Sequence, residues 1–171
     1  MTGEATVELI SEEMRGLIGK IQQRRRSYPI SASDIRRWAI AIYYPDAPPA
    51  AYLRAGAVAG EPPLVAPEEF NPFAWAVADS DGGGGYGGPG FLELRAGIRP
   101  PAVRFIVNGG SQAEYGAPMR EGDVITAEFG IRSYAQRQGK RGPLLITETE
   151  DRWTNQRDEL VRSTIQTLVR Y

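Results

Sequence analysis

Alternating apolar and polar positions in the last third of the chain predict three consecutive antiparallel strands. The first strand places apolar side chains on one face at every second position: Ile125, Ala127, Phe129 and Ile131. After a turn over 138–143, residues 144–153 form a second run whose β-branched threonines suit a pleated sheet. A polar reversal over 155–158 precedes the last strand, which has one apolar side: Val161, Ile165 and Val169. The three strands are therefore predicted to form a meander.

Apolar residues at three- and four-residue intervals predict two helices in the first half of the chain. The first helix is predicted over Glu4–Gln23. The basic triplet at 24–26 is interpreted as its solvated end, with binding of a ligand phosphate as the alternative. The second helix is predicted from the capping residues at 31–34 to about Tyr43. Its buried face is predicted to contain four side chains: Ile35, Trp38, Ala39 and Ile42. Helices followed by a strand meander indicate an α+β chain.

Proline and glycine dominate the middle of the chain, from Glu61 to Gly90. Pro72 is tolerated only near the start of a helix, which leaves Phe73 to about Ala78 for one or two helical turns. Glycine costs about 1 kcal/mol relative to alanine inside a helix, so the four glycines at 82–85 end any helix there. A helix in this region is therefore predicted to be short.

Composition limits the functions that are open to this chain. Its 171 residues, of which 42% are hydrophobic, suit a single core. With 20 basic and 21 acidic residues, it has no global field that would attract nucleic acid. The absence of cysteine and histidine removes thiolate chemistry, the usual general base at neutral pH and the commonest metal ligand, so no metal site is expected. No apolar run reaches membrane-spanning length, and a soluble cytoplasmic protein is expected.

Two motifs and the final meander occur in an order that is typical of one enzyme family. The motifs are YPISASDIRRWAIAI at 28–42 and NGGSQAEYGAPMREGD at 108–123. Together they resemble the N-terminal half-domains of MaoC-like dehydratases, also called FAS1-like dehydratases. The resemblance implies a single hot-dog fold, in which a curved antiparallel sheet surrounds a central helix, here truncated, with an added N-terminal helix. It divides the chain into a helical extension at 1–27 and a hot-dog domain at 28–171, with a flexible glycine-rich insert near 79–90.

In catalytic members of this family, a loop with the pattern D-x-N-P-x-H carries the aspartate and histidine of the active site. The corresponding loop here retains Asp46 and Pro49, but Ala51 stands where the histidine would be. Because an alanine methyl group can neither activate water nor move the α-carbon proton, the resemblance implies that this chain has no catalytic residue. The residues alone favour Asp46 as a turn residue after Pro45.

Several residues are candidates for substrate binding. A truncated central helix leaves space inside the sheet, where three aromatic side chains either border an acyl pocket or fill the core: Phe70, Phe73 and Trp75. Paired glycines in a strand-like run indicate either a structural bulge or, as the resemblance implies, a close approach to the thioester: Asn108, Gly109 and Gly110. Basic residues around the hairpin tip either contact CoA phosphates or are solvated: Arg132, Arg137, Lys140 and Arg141.

The resemblance favours a non-catalytic, substrate-shaping subunit of a heteromeric enoyl-CoA hydratase. A MaoC-like partner that carries the Asp/His pair, assembled as α2β2, would add water to a bulky α,β-unsaturated acyl-CoA such as a steroid side-chain thioester. CoA enters as part of the substrate, and no other cofactor is expected. Because the sequence stops directly after its last strand, it is interpreted as a piece of a longer protein, in which a DUF35 domain would dock a thiolase-like aldolase.

Two other functions remain open at this point. One is an acyl-CoA thioesterase that uses a carboxylate such as Asp46 or Glu114 to activate water. The other is an acyl-CoA binding module without turnover. Release of free CoA would indicate hydrolysis, whereas a 3-hydroxyacyl-CoA product would indicate hydration.

Overall fold

The computed structural model describes residues 8–54, 62–81, 88–140 and 142–171. Its helices are short apart from the second: α1 (Glu12–Arg15), α2 (Ala32–Tyr43), α3 (Ala50–Leu53) and α4 (Phe91–Arg95). Its longest strands lie in the C-terminal half: β1 (Ile21–Arg26), β2 (Asp79–Asp81), β3 (Ile106–Tyr115), β4 (Thr126–Gly139), β5 (Gly142–Thr154) and β6 (Leu160–Arg170). None of the helices within these ranges is long and apolar enough to cross a bilayer.

The strands form one antiparallel sheet in the order β2, β1, β4, β5, β6, β3. The neighbours β4, β5 and β6 follow each other in the sequence, which confirms the predicted meander. Register shifts between Ile131 and Ser133 in β4, and at the start of β6, mark bulges that increase the local twist. The predicted α+β hot-dog architecture, a curved antiparallel sheet with few helices, is confirmed.

The N-terminal segment corrects one prediction. The helix predicted over Glu4–Gln23 is wrong, because the described part of this segment is helical only in α1 and then forms strand β1. Gly19 adopts a φ of +75°, which glycine tolerates, and turns the chain toward the sheet. The basic triplet at 24–26 therefore pairs with β4 instead of ending a helix. The assignment of 1–27 to a separate extension stays a prediction.

The second predicted helix is confirmed as α2. Ser31 caps it, since its Oγ accepts a hydrogen bond from the backbone N–H of Asp34 at 3.1 Å. Ile35 and Ala39 are fully buried, but Ile42 near the C-terminal end is 47% exposed. The predicted apolar face therefore meets the core only in the first part of the helix.

The middle of the chain agrees with a truncated central helix. Residues 62–81 contain turns but no α-helix, and 79–81 form β2, a short edge strand that the sequence analysis did not predict. The glycines at 82–85 lie outside the described residues, so the flexibility of the glycine-rich insert stays a prediction. The five-residue helix α4 follows at 91–95 and packs on the sheet.

Apolar side chains on one side of the sheet, which we call the inner face, belong to three clusters of buried residues. At one end, Ile35 of α2 and Phe70 belong to a cluster with Trp153 of β5. At the other end, Leu92 of α4 belongs to a cluster with Leu168 of β6. A third cluster contains Met14 of α1 and Leu145 of β5. Burial of these apolar side chains is the main favourable term in folding.

The last strand does not keep one apolar side along its length. Val161 is the extra residue of the bulge at the start of β6, and it packs in the core. Beyond the bulge, Leu168 and Arg170 face inward, while Ile165 and Val169 lie on the opposite face. The prediction that the three apolar residues share one side is therefore wrong, because one inserted residue reverses the alternation.

A buried ion pair joins α4 to β6. The Arg170 guanidinium donates to both carboxylate oxygens of Glu93 at 2.8 and 2.9 Å, and both side chains are 0% exposed. Arg170 also donates to Thr147 Oγ1 at 2.7 Å and to the Pro89 carbonyl at 2.8 Å, while the Tyr134 hydroxyl donates to Glu93 at 2.8 Å. Burial is the main cause that raises the pKa of Tyr134, and the negative charge of Glu93 is the second cause. The phenol therefore keeps its proton. The sequence analysis missed this network.

Loss of the Arg170 side chain should strongly destabilise the fold. Arg170→Ala leaves the Glu93 carboxylate buried and uncompensated, which costs about 3–5 kcal/mol in comparable cases. Urea unfolding followed by circular dichroism measures the loss. Arg24→Ala is the matched control, because the Arg24–Glu128 pair on the opposite face is solvent-exposed and should contribute far less. Equal losses for the two variants would contradict a structural role for the buried pair.

The aromatic residues of the middle segment should differ in their contribution to stability. Phe70 is 1% exposed, so Phe70→Ala opens a cavity and should cost about 3–5 kcal/mol. Trp75 is 61% exposed, so Trp75→Ala should change the free energy of unfolding by about 0.5 kcal/mol or less. The same urea series measures both variants, and a large loss for Trp75→Ala would show that the exposed ring is a core residue.

Candidate functional site

The loop that corresponds to the family's catalytic motif lies on the surface. Asp46 lies in the turn that follows α2, where its backbone N–H donates to the Tyr43 carbonyl at 2.8 Å, and its side chain is exposed. Pro49 precedes α3, and Ala51 lies exposed within that helix. The turn geometry agrees with the interpretation of Asp46 as a turn residue. A methyl group at position 51 presents no group that can transfer a proton.

An apolar cleft of about 240 Å³ lies between the start of α2 and the middle segment. Buried Phe70 and exposed Trp75 both line it, together with Tyr28 and Ile30. Asp34 also lines this cleft. The structure thus brings two of the three predicted aromatic residues together, and their role in acyl binding stays a prediction.

The third predicted aromatic residue, Phe73, lies elsewhere. Its ring packs edge-on against Trp153 with centroids 5.2 Å apart, and the Arg25 guanidinium lies 4.9 Å above it. Phe73 therefore covers part of the inner face of the sheet and does not line the cleft of Phe70 and Trp75.

The paired glycines form a bulge, as one of the two interpretations expected. The register of β3 against β6 shifts between Asn108 and Gly110, and the Asn108 Oδ1 accepts a hydrogen bond from the Gly110 N–H at 2.9 Å. Gly110 has a φ of +127°, and a Cβ on Gly109 would lie 3.1 Å from methyl groups of β6. These constraints explain the glycines structurally, and a contact with the thioester stays a prediction.

The predicted basic cluster at the hairpin tip is smaller than expected. Arg137 and Lys140 are exposed beside the turn between β4 and β5. Arg132 lies at the β4 bulge, away from the tip, and Arg141 lies outside the described residues. A contact between this tip and CoA phosphates stays a prediction.

The sequence analysis also missed a row of polar side chains across the inner face. Strand register places Arg25 in the same row as Trp153 and Arg162, with Asp151 and Thr164 in the next row. Arg25 forms an ion pair with Asp151 at 2.9 Å, and the Arg162 guanidinium lies 3.9 Å from the Trp153 ring centroid. We call these five residues the inner polar patch. The missed signal was the alternation of β5 and β6, which puts these positions on the core side.

Tyr115 lies beside the inner polar patch, directly opposite Arg162 in the register of β3 and β6. Its hydroxyl donates to Glu69 at 2.5 Å, and this hydrogen bond is the main cause that raises the pKa of Tyr115. The phenol is therefore a hydrogen-bond donor at neutral pH. Among the described residues, no group of three or more carboxylates is arranged to hold a metal ion.

Comparison with solved structures gives low sequence identities. The ChsH1-ChsH2 complex from Mycobacterium tuberculosis matches with a TM-score of 0.52 and 18% identity, covering 86% of this chain and 82% of that chain. A MaoC-like dehydratase from Rhodospirillum rubrum matches with a TM-score of 0.47 and 18% identity, covering 90% of this chain and 92% of that chain. A C-terminally truncated HadBC (3R-hydroxyacyl-ACP dehydratase) complex from M. tuberculosis matches with a TM-score of 0.47 and 20% identity, covering 90% of this chain and 99% of that chain. The likeness to the ChsH1-ChsH2 complex supports the hot-dog fold.

No curated protein matches this chain. The family model described as the FAS1-like, dehydratase domain region matches residues 17–164, which is most of the chain. The match includes α2, the loop with Asp46, strands β4 and β5, and the first part of β6. The chain therefore belongs to the FAS1-like dehydratase family.

Proposed function

We propose that this chain is the non-catalytic, substrate-shaping subunit of a heteromeric enoyl-CoA hydratase in the cytoplasm. Membership of the FAS1-like dehydratase family supports a hydratase- or dehydratase-type reaction. The observation that carries the proposal is the lack of any histidine in the chain, together with the exposed Ala51 in the loop that holds the histidine of catalytic relatives. A subunit without this imidazole needs a companion for the proton transfers.

Hydration of an enoyl thioester requires two proton transfers. A base takes a proton from water while the water oxygen bonds to the β-carbon, and the double-bond electrons move to form an enolate of the thioester. An acid then delivers a proton to the α-carbon, which gives the 3-hydroxyacyl-CoA. In the proposed assembly, the MaoC-like partner supplies the Asp/His pair for both transfers, and this chain holds and shapes the acyl group.

Strand β3 supports a two-subunit assembly. It is a ten-residue strand at the sheet edge, and residues 107–114 are exposed. In the described part of the chain, β6 is the strand that pairs with it, so one edge of β3 is open. A long open edge is a site where another chain can add its own strand. The ChsH1-ChsH2 structure is itself a complex of two proteins.

The finer parts of the proposal concern the substrate and the assembly. Residues 62–81 contain no α-helix and so place no long helix on the inner face, which supports a bulky acyl group such as a steroid side-chain thioester. Paired hot-dog units that dimerise again would give α2β2. A DUF35 extension that docks a thiolase-like aldolase belongs to the same proposal.

Co-expression with a MaoC-like protein that carries the Asp/His pair tests the proposal. We expect the purified pair to convert enoyl-CoA to 3-hydroxyacyl-CoA, and neither protein alone to do so at a comparable rate. Mass spectrometry of the products, over short-chain, long-chain and steroid enoyl-CoA, measures the reaction. Hydration by this chain alone would overturn the proposal. Release of free CoA would instead support the alternative function as an acyl-CoA thioesterase.

A further inference from the structure

The inner polar patch contains hydrogen-bonding groups that the fold does not use. Each of its five members has a buried polar atom without a hydrogen-bond partner among the described residues: Arg25 Nε, Asp151 Oδ1, Trp153 Nε1, Arg162 Nε and Thr164 Oγ1. Buried polar atoms in folded proteins are nearly always satisfied, and each exception calls for a specific explanation. A concentration of such atoms in two adjacent rows of one sheet indicates a place where a bound group completes the hydrogen bonds.

The patch is open toward one side of the sheet. The Asp151 side chain is 24% exposed, and Arg162 and Thr164 are half-buried. The next row of the inner face, toward the middle of the sheet, contains Gln166 of β6 and Ser111 of β3, which are both exposed. A ligand that lies along the inner face from the β3 side therefore reaches Thr164 and Arg162.

The free groups specify the chemistry of this ligand. Arg162 can only donate, whereas the Asp151 carboxylate can only accept through its free oxygen. A hydroxyl group both donates and accepts, so it satisfies either partner. A keto oxygen accepts only and leaves Asp151 unsatisfied, and a ligand carboxylate would meet the negative charge of Asp151.

We propose that the inner polar patch binds hydroxyl groups on the body of the acyl chain, which makes hydroxylated acyl-CoA the preferred substrate class. This inference rests on the proposed function, because the acyl group must lie along the inner face. Thr164 and Arg162 are the specificity-determining residues, and the Arg25–Asp151 pair holds the accepting oxygen in place. An acyl pocket lined only by apolar groups would gain nothing from such hydroxyl groups.

Binding of two saturated thioesters tests the inference without catalysis. Cholyl-CoA and 5β-cholanoyl-CoA share one carbon skeleton and differ in the ring hydroxyl groups. Isothermal titration calorimetry is done with the full chain, alone and in complex with its MaoC-like partner, below the micelle-forming concentrations. We expect cholyl-CoA to bind at least ~10-fold more tightly, as one or two additional hydrogen bonds would produce.

Matched variants show which residues cause the preference for cholyl-CoA over 5β-cholanoyl-CoA. Thr164→Val removes the hydroxyl and keeps the shape, and it should reduce the ratio of the two affinities by about 3- to 10-fold. Thr167→Val is the control, because this residue lies on the opposite face of the same strand and should leave the ratio unchanged. Arg162→Gln provides a second test and should reduce the ratio by about 10-fold or more, since hydrogen bonds to charged groups are stronger. Urea unfolding confirms that each variant is folded.

The outcomes separate this inference from the proposed function. Equal affinities for the two thioesters, binding of neither, or a preference that survives both Thr164→Val and Arg162→Gln would overturn the inference. None of these results bears on hydration of unsaturated thioesters by the pair, which is measured separately. Conversely, a pair that fails to hydrate any enoyl-CoA overturns the proposed function, and binding by the full chain alone still decides whether the patch selects hydroxyl groups.

Discussion

The arrangement of this chain depends on the buried ion pair between Arg170 and Glu93. It fixes α4, a helix of only five residues, against the end of the sheet. A longer helix could be held there by its apolar surface alone, but a helix this short has too little of it. Further hydrogen bonds to Thr147, Tyr134 and a backbone carbonyl support the pair. Together with the bidentate contact they offset much of the cost of burying two charges at the edge of an apolar cluster.

This anchoring divides the inner face into three zones. Apolar clusters lie at both ends, under α2 and under α4, and the inner polar patch adjoins the first of them. A sheet that wrapped one long apolar helix would have no reason to place Arg25, Asp151, Arg162 and Thr164 on its inner side. The polar residues therefore indicate that this surface meets something other than a core helix, and the proposed acyl group with its hydroxyl groups meets that requirement.

Sequence reasoning succeeded where local periodicity decides the structure. The meander and α2 follow from alternation and capping, and the NGG bulge follows from paired glycines in a strand. It failed where tertiary contacts prevail. The segment up to Gln23 has a helical pattern, but from Ile21 onward the chain pairs with β4 in the sheet, and the bulge at Val161 reverses the faces of the last strand. No sequence signal marks Arg170 as a buried cation, because an arginine in a strand is normally solvent-exposed.

The central claim is that this chain shapes the substrate and leaves the proton transfers to its partner. The most direct measurement is the turnover number of the reconstituted pair with Asp46→Asn in this chain, since Asp46 is the one acidic residue retained from the catalytic motif. The account predicts a turnover number and pH profile like those of the unmodified pair. A loss of about 100-fold or more, as removal of a general base causes, would contradict it.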